Sequence, residues 1–255
     1  MEFENKKVLI TGGTSGIGLS AAEAFLSEGA TVCISGRTES SLQKVSATLR
    51  ADALYLTAGD VSSAAGCAEI VTDAAEKLGG LDVVVNSAGI WLEGPAEEVT
   101  DKDWNAVIDT NLKGTFFICR HAIPYLEKSS GCIVNISSDS GLVGNDLAAV
   151  YCASKGGVTL LTKSLAVELA RKNIRVNAVC PGDVATPMLD AAMEKSGMDS
   201  REYIEELLDV YPERPGRRFT RPEEVARCIL FLASGKAEAI TGACLSIDFG
   251  LTAGY

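Results

Sequence analysis

A chain of 255 residues, 47 % apolar and 22 % charged, can build one large α/β domain or two small ones, and no long segment is polar and charged enough for disorder. The net charge of −11 argues against a nucleic-acid partner, which needs a concentrated basic face. No apolar run reaches the length of a membrane span, and charged residues 1–7 lack the core of a secretory signal, so a cytoplasmic protein without a membrane partner is expected.

In chain order, short β-branched runs alternate with stretches of helical period. Residues 7–11 read as a strand and 16–28 as its helix; 31–35 and 39–49 repeat the unit, as do 54–57 and 62–78. Residues 82–86 make a fourth strand, and a helix from about 101 to about 126 leads into strand 132–136. Helix 149–171 precedes strand 175–180, and helix 222–232 precedes a last strand at 243–247. This alternation predicts an α/β fold, a Rossmann-type doubly wound parallel sheet forming a single domain over residues 1–255. Residues 186–218 are an irregular insertion containing Pro187, Pro212 and Pro215, placed to act as a substrate lid. Within it, Asp199 and Glu202 stand at capping-box spacing, which starts a helix carrying Tyr203, Ile204, Leu207 and Leu208 on one face.

Eight cysteines, at 33, 67, 119, 132, 152, 180, 228 and 244, include no Cys-x-x-Cys pair. With His121 the lone histidine, they read as reduced, mostly buried thiols; no zinc or other metal site is expected.

Between the first strand and its helix lies Thr11-Gly12-Gly13-Thr14-Ser15-Gly16-Ile17-Gly18. Glycines at 12, 16 and 18 permit a sharp turn and bring the backbone close to a pyrophosphate at the helix N-terminus. A turn that merely packs helix on sheet is the plainer alternative. The second strand ends Ser35-Gly36-Arg37, with arginine near the place where NAD proteins carry a carboxylate for the ribose. A guanidinium grips a 2′-phosphate, so Arg37 favours NADP(H) and leaves NAD(H) possible; the alternative is a solvated loop residue.

Tyr151 and Lys155, at i and i+4, share a helix face. A phenol titrates near 10, and a neighbouring ammonium favours its phenolate, moving it toward useful acid/base chemistry. Alone, the pair also fits an exposed helix surface. Asn135-Ile136-Ser137-Ser138 ends a parallel strand on the side where such sheets bind ligands, and Ser138 can hydrogen-bond a carbonyl oxygen.

Together these motifs, with Asn86-x-Ala88-Gly89, Asn111 and Pro181-Gly182 followed by Thr186, make the chain resemble the short-chain dehydrogenase/reductase family over nearly its whole length. The resemblance implies Tyr151 as acid/base, Lys155 on the nicotinamide ribose, Ser138 on the carbonyl, and Asn111 holding a water that links Lys155 to solvent. It implies a cofactor set of Gly12, Thr14, Ser15, Gly16, Ile17, Gly18, Arg37, Asp60, Val61, Asn86, Ala88, Gly89, Tyr151, Lys155, Pro181, Gly182, Val184 and Thr186. Three departures stand out: Ser87 for the usual second asparagine, Asp183 after Pro181-Gly182, and Phe249 where glycine is frequent.

The expected activity is NADP(H)-dependent interconversion of a ketone and a secondary alcohol. An apolar cyclic substrate such as a hydroxysteroid is favoured, with Trp91, Asn145 and Met188 in the pocket beside Leu92 and Glu93. A 3-oxoacyl thioester reductase shares every motif, though Glu127-Lys128-Ser129-Ser130 offers one lysine where carrier-docking arginines are expected. A catalytically silent cofactor-binding regulator is the alternative of another class. Family likeness and the apolar last strand imply a homotetramer.

Overall fold

Strand Lys7–Thr11 (β1) buries its last four residues, and Thr31–Gly36 (β2) its last five. Continuous burial is what a parallel strand covered on both faces requires. The computed structural model, which describes residues 1–212 and 216–254, completes the sheet with Leu54–Ala58 (β3), Val83–Asn86 (β4), Cys132–Ile136 (β5), Arg175–Pro181 (β6) and Cys244–Ile247 (β7). All neighbours pair in parallel, in the order β3-β2-β1-β4-β5-β6-β7. The two edge strands are the less buried ones.

Gly16–Ser27 (α1), Glu39–Leu49 (α2) and Pro222–Ala233 (α9) share one apolar cluster with the sheet. Ala64–Leu78 (α3), Gly114–Ser129 (α5) and Ala149–Leu169 (α6) cover the other face. Successive strands run outward in both directions from β1 and β4, so the carboxyl ends of that pair form the switch point where such sheets hold ligands.

The single helix expected from 101 to 126 is broken. Asp101–Ile108 (α4), closed by a Thr100–Asp103 capping box, passes into a π turn, Asp109–Lys113, before α5 starts. There the Gly114 N–H reaches back to the Asp109 carbonyl, which places one extra residue in the turn.

The insertion is more regular than its sequence implies. It forms Pro187–Ser196 (α7), with proline in the first turn, and Ser200–Asp209 (α8). Asp199 caps α8 by accepting from the N–H groups of Arg201 and Glu202, without the return bond from Glu202 that a capping box needs. Tyr203 is buried, Ile204, Leu207 and Leu208 are half-buried, and Arg201, Glu205, Glu206 and Asp209 are exposed, as the amphipathic pattern predicts. Pro215 lies outside the described residues.

Candidate active site

After β1, Gly12 turns the chain at φ +66°, where a Cβ would lie 2.8 Å from the Ala88 Cα. A Cβ on Gly18 would strike the Gly12 carbonyl oxygen, so that glycine serves the close approach of α1 to the loop. Ser15 precedes α1 without a side-chain cap bond. The first N–H groups of α1 are thereby left for an anion, with the positive helix end behind them.

This loop forms one wall of a cleft of about 520 Å³, to which Thr14, Ser15, Gly16, Ile17, Arg37, Asp60, Val61, Gly89 and Thr186 also contribute. The pyrophosphate and ribose of a dinucleotide fit such a cradle, because its backbone is stripped of side chains where phosphates must approach. At the tip of β2, a Cβ on Gly36 would sit 2.7 Å from the Thr14 Cγ2, so any side chain there would have to displace Thr14. Arg37 and Lys102 are the cationic side chains of the wall. The Asp60 carboxyl is held below its usual range, first by the Ser62 N–H it accepts and also by nearby Arg37.

Two residues of the expected cofactor set do not reach the cavity walls. Gly18 packs beneath the loop, and Asn86, only 3 % exposed, points into the protein to donate to Asn135 Oδ1 at 2.9 Å. Pro181, Gly182 and Val184 line instead a second cavity that continues from the first and shares Ile17, Gly89, Ile90, Thr186 and Met188 with it.

That second cavity, about 260 Å³, gathers Ser138, Tyr151 and Lys155. Tyr151 is 8 % exposed, and its ring meets Trp91 edge to face at 4.5 Å. Burial pushes its phenol well above the ordinary value; the Ser138 hydroxyl draws it down, and the charges of Asp139 and Asp183 raise it further. Lys155 donates to the Ile136 carbonyl at 2.8 Å, and burial lowers its amine to about 8. Ser138 also donates to Asp139 Oδ1, whereas Ser137 is tied to the Lys155 carbonyl at 2.9 Å and to Thr159, a packing role.

Asn111 is fixed at the π turn. Its amide accepts from Ile90 N–H at 2.8 Å, donates to the Ile90 carbonyl at 3.0 Å, and donates to Ser154 at 3.1 Å. It therefore braces the strand-end loop after β4 against α6, one turn from Tyr151.

Trp91, Asn145 and Met188 all line the second cavity, with Glu93; Leu92 does not. The insertion contributes Tyr203, Leu207 and Val210. Sequence reasoning did not single out Lys102 or Asn105, which α4 presents to the cofactor cleft, nor Asp139 beside the serine. Their one signal was the polar i, i+3 spacing of Lys102 and Asn105 on a helix later shown to border the cleft. Phe249 stands at φ +53°, the left-handed region that makes glycine frequent there, with the Arg218 guanidinium 5.2 Å from its ring centre.

Comparison with known proteins agrees with this geometry. A family model described as enoyl-(acyl carrier protein) reductase matches residues 12–252. The chain is 41 % identical to a 3-oxoacyl-(acyl-carrier-protein) reductase of Thermotoga maritima, over 98 % of this chain and 99 % of that one. It is 38 % identical to a 3beta-hydroxysteroid dehydrogenase of Mediterraneibacter gnavus, over 98 % and 96 %. A variant of actinorhodin polyketide ketoreductase, solved with NADPH, superposes with a TM-score of 0.91 at 36 % identity, over 99 % of each chain. A serine, tyrosine and lysine meeting at the carboxyl ends of a doubly wound sheet, together with whole-length similarity to alcohol dehydrogenases and ketoreductases, make this chain a member of the short-chain dehydrogenase/reductase family, whose oxidoreductases act on alcohols and ketones.

Proposed function

We propose that the protein uses NADP(H) to interconvert a ketone and a secondary alcohol on a bulky, largely apolar cyclic substrate, with Tyr151 transferring the proton. The observation that carries this reading is the continuity of the two cavities: the phosphate cradle opens onto the wall that holds Tyr151 and Ser138. NADP(H), when bound, supplies or accepts the hydride. The chain's own residues orient the carbonyl and manage the proton: Ser138 and Tyr151 present hydroxyls to the oxygen, and the Tyr151 hydroxyl donates as it becomes an alkoxide. Lys155 Nζ, 5.6 Å from the Tyr151 ring centre, sets a positive charge beside the phenol in its protonated form.

The raised phenol gives the reaction a pH signature. Reduction needs the neutral phenol, which burial favours, and oxidation needs the phenolate. Alcohol oxidation is expected to rise with pH into the alkaline range while ketone reduction is sustained at neutral pH and below; initial rates in both directions check this. Oxidation fastest at acidic pH would contradict Tyr151 as the base.

For the substrate, Tyr203, Leu207 and Val210 of the insertion line the same cavity as Trp91. Among the described lining residues Lys155 is the one cation, and Glu93, Asp139, Asp146 and Asp183 supply negative charge. Such a wall disfavours phosphates and acidic carriers. A bulky alicyclic or steroid ketone is expected to give a higher kcat/KM than a 3-oxoacyl thioester or a small polar sugar; the reverse order overturns the apolar reading and leaves the reaction class standing. The similarity to a 3-oxoacyl-(acyl-carrier-protein) reductase makes the thioester the competitor to include.

The proposal extends to a homotetramer in a reducing cytoplasm. Trp104 on α4, Phe116 on α5, and Leu160 and Val167 on α6 are exposed apolar side chains on one side of the sheet, with Phe231 and Leu245 near the β7 edge. Light scattering at micromolar concentration is expected to return four times the 26.7 kDa chain mass, and a monomer would refute it. The cysteines form no disulfide, which suits a reducing compartment, and burial pushes the thiols of Cys33 and Cys119 up to about 12, which makes them unreactive. No helix among the described residues is long and apolar enough to cross a membrane.

A further inference from the structure

Asp183 occupies the position after Pro181-Gly182 where the family more often has a small or apolar residue, and its surroundings are built around it. The backbone N–H of Asp183 donates to the Tyr211 hydroxyl at 2.7 Å, and that hydroxyl donates to Asp183 Oδ2 at 3.0 Å. Tyr211 is 4 % exposed, and its oxygen lies 2.5 Å from where a Gly182 Cβ would be, so the glycine makes room for this contact. On the other side, the Asp183 carbonyl accepts from Thr220 N–H at 2.9 Å. The carboxylate is thus held rigidly between the strand end and the chain leaving the lid helix α8.

Four carboxylates line the substrate cavity, and three are already provided for. Glu93 and Asp146 are exposed to water, and Asp139 accepts from the hydroxyls of Ser138 and Ser140. Asp183 is half-buried, takes part in no ion pair among the described residues, and has the Tyr211 hydroxyl as its side-chain donor. An ionised carboxylate offers about four acceptor positions, and Tyr211 fills one, which leaves others for a donor in the cavity that Asp183 lines. Burial raises its acid to about 6, against the lowering effect of Tyr211. The rest of the nearby wall, Trp91, Leu189, Tyr203 and Leu207, is largely apolar.

We propose that Asp183 is a specificity-determining residue that accepts a hydrogen bond from a hydroxyl on the substrate, with Tyr211 as its positioning residue. The substrate class, which rests on the ketone/alcohol reading above, is then a hydroxylated cyclic ketone and the corresponding diol. A site built to accept from a substrate hydroxyl discriminates against the analogue without it, because the protein group is left unpaired.

The experiment compares cyclohexanones bearing a hydroxyl at carbon 2, 3 or 4 with the methyl isosteres, using NADPH for turnover. At least one hydroxy isomer is expected to exceed its methyl counterpart in kcat/KM by about ten- to hundred-fold, the range for a hydrogen bond to a charged group. Asp183→Ala is expected to bring that ratio close to one and Asp183→Asn to keep part of it. Tyr211→Phe is expected to raise KM for the hydroxy ketone alone, a split that a general loss of structure does not produce. A ratio unchanged in Asp183→Ala, or a wild type indifferent to the hydroxyl, overturns the proposal; so does a weakened NADPH affinity in Asp183→Ala with the ratio intact, which assigns the carboxylate to the cofactor. Binding of the same ketones to the NADP⁺-loaded protein, read by tryptophan fluorescence, gives the ratio without turnover. Absence of all turnover with selective binding refutes the activity and keeps Asp183; turnover with non-selective binding does the opposite.

Discussion

Tyr151→Phe is expected to lower kcat by about a hundred- to ten-thousand-fold, the contribution of a positioned acid/base group, while NADPH affinity stays near that of the wild type. The substitution removes one oxygen and keeps a ring that is 8 % exposed and packed on Trp91, so the cavity wall survives. Lys155→Ala is different in kind. Its Nζ is anchored on the Ile136 carbonyl and lies beside Gly89, which lines both cavities, so both turnover and affinity are expected to fall. Steady-state rates with a fluorescence titration of NADPH separate the two variants. A phenylalanine variant that retained a sizeable share of wild-type turnover would show that another group delivers the proton.

Arg37→Ala is expected to raise KM for NADPH by about ten- to hundred-fold, the cost of a lost hydrogen bond to a charged group, and to change KM for NADH little. The asymmetry follows from the 2′-phosphate, which only one cofactor carries. Arg37 is exposed at the cleft wall, and the strand tip before it is occupied by Gly36 against Thr14 rather than by a ribose-binding carboxylate. Lys102, across the cleft on α4, is the second cation available, and a residual NADPH preference in Arg37→Ala would point to it. Equal effects on both cofactors would rule out a phosphate contact at Arg37.

The strands, and the meeting of Ser138, Tyr151 and Lys155 in one cavity, were legible in the sequence because their signals are local. Continuous β-branched runs report burial on both faces, and Tyr151 and Lys155 share a helix face by spacing alone. The misreadings have equally physical causes. Asn86 belongs to a strand-end motif, but side-chain direction alternates along a strand, and its amide NH2 is turned inward to donate to Asn135 Oδ1 rather than toward the cavity. The stretch from 101 to 126 keeps a helical pattern on both sides of its break, and each side, α4 of 8 residues and α5 of 16, reads as helix whether or not the two faces are in register. α7 was concealed in an insertion that looked irregular, although Thr186 followed by Pro187 is a helix start in its own right. Tyr211 had no signal at all, since its partner Asp183 lies 28 positions away in the chain.

The π turn at Asp109–Lys113 makes segment length a functional variable. Asn111 can brace the Ile90 loop and Ser154 together only while the helix carries its surplus residue, which swings the amide sideways out of the α-helical ladder. Deleting one of the positions beside Asn111 would let α4 and α5 fuse into an unbroken rod with a full set of regular backbone bonds. The relaxed helix would turn Asn111 by roughly the 100° that one residue contributes to a 3.6-residue turn. It would also misplace Gly114, where a Cβ would lie 2.7 Å from the Val61 carbonyl oxygen, so that only a glycine lets α5 pack this closely beside the cleft. The site thus depends on a helix that the backbone alone would rather straighten, and replacements across these five residues are expected to be tolerated far better than a change in their number.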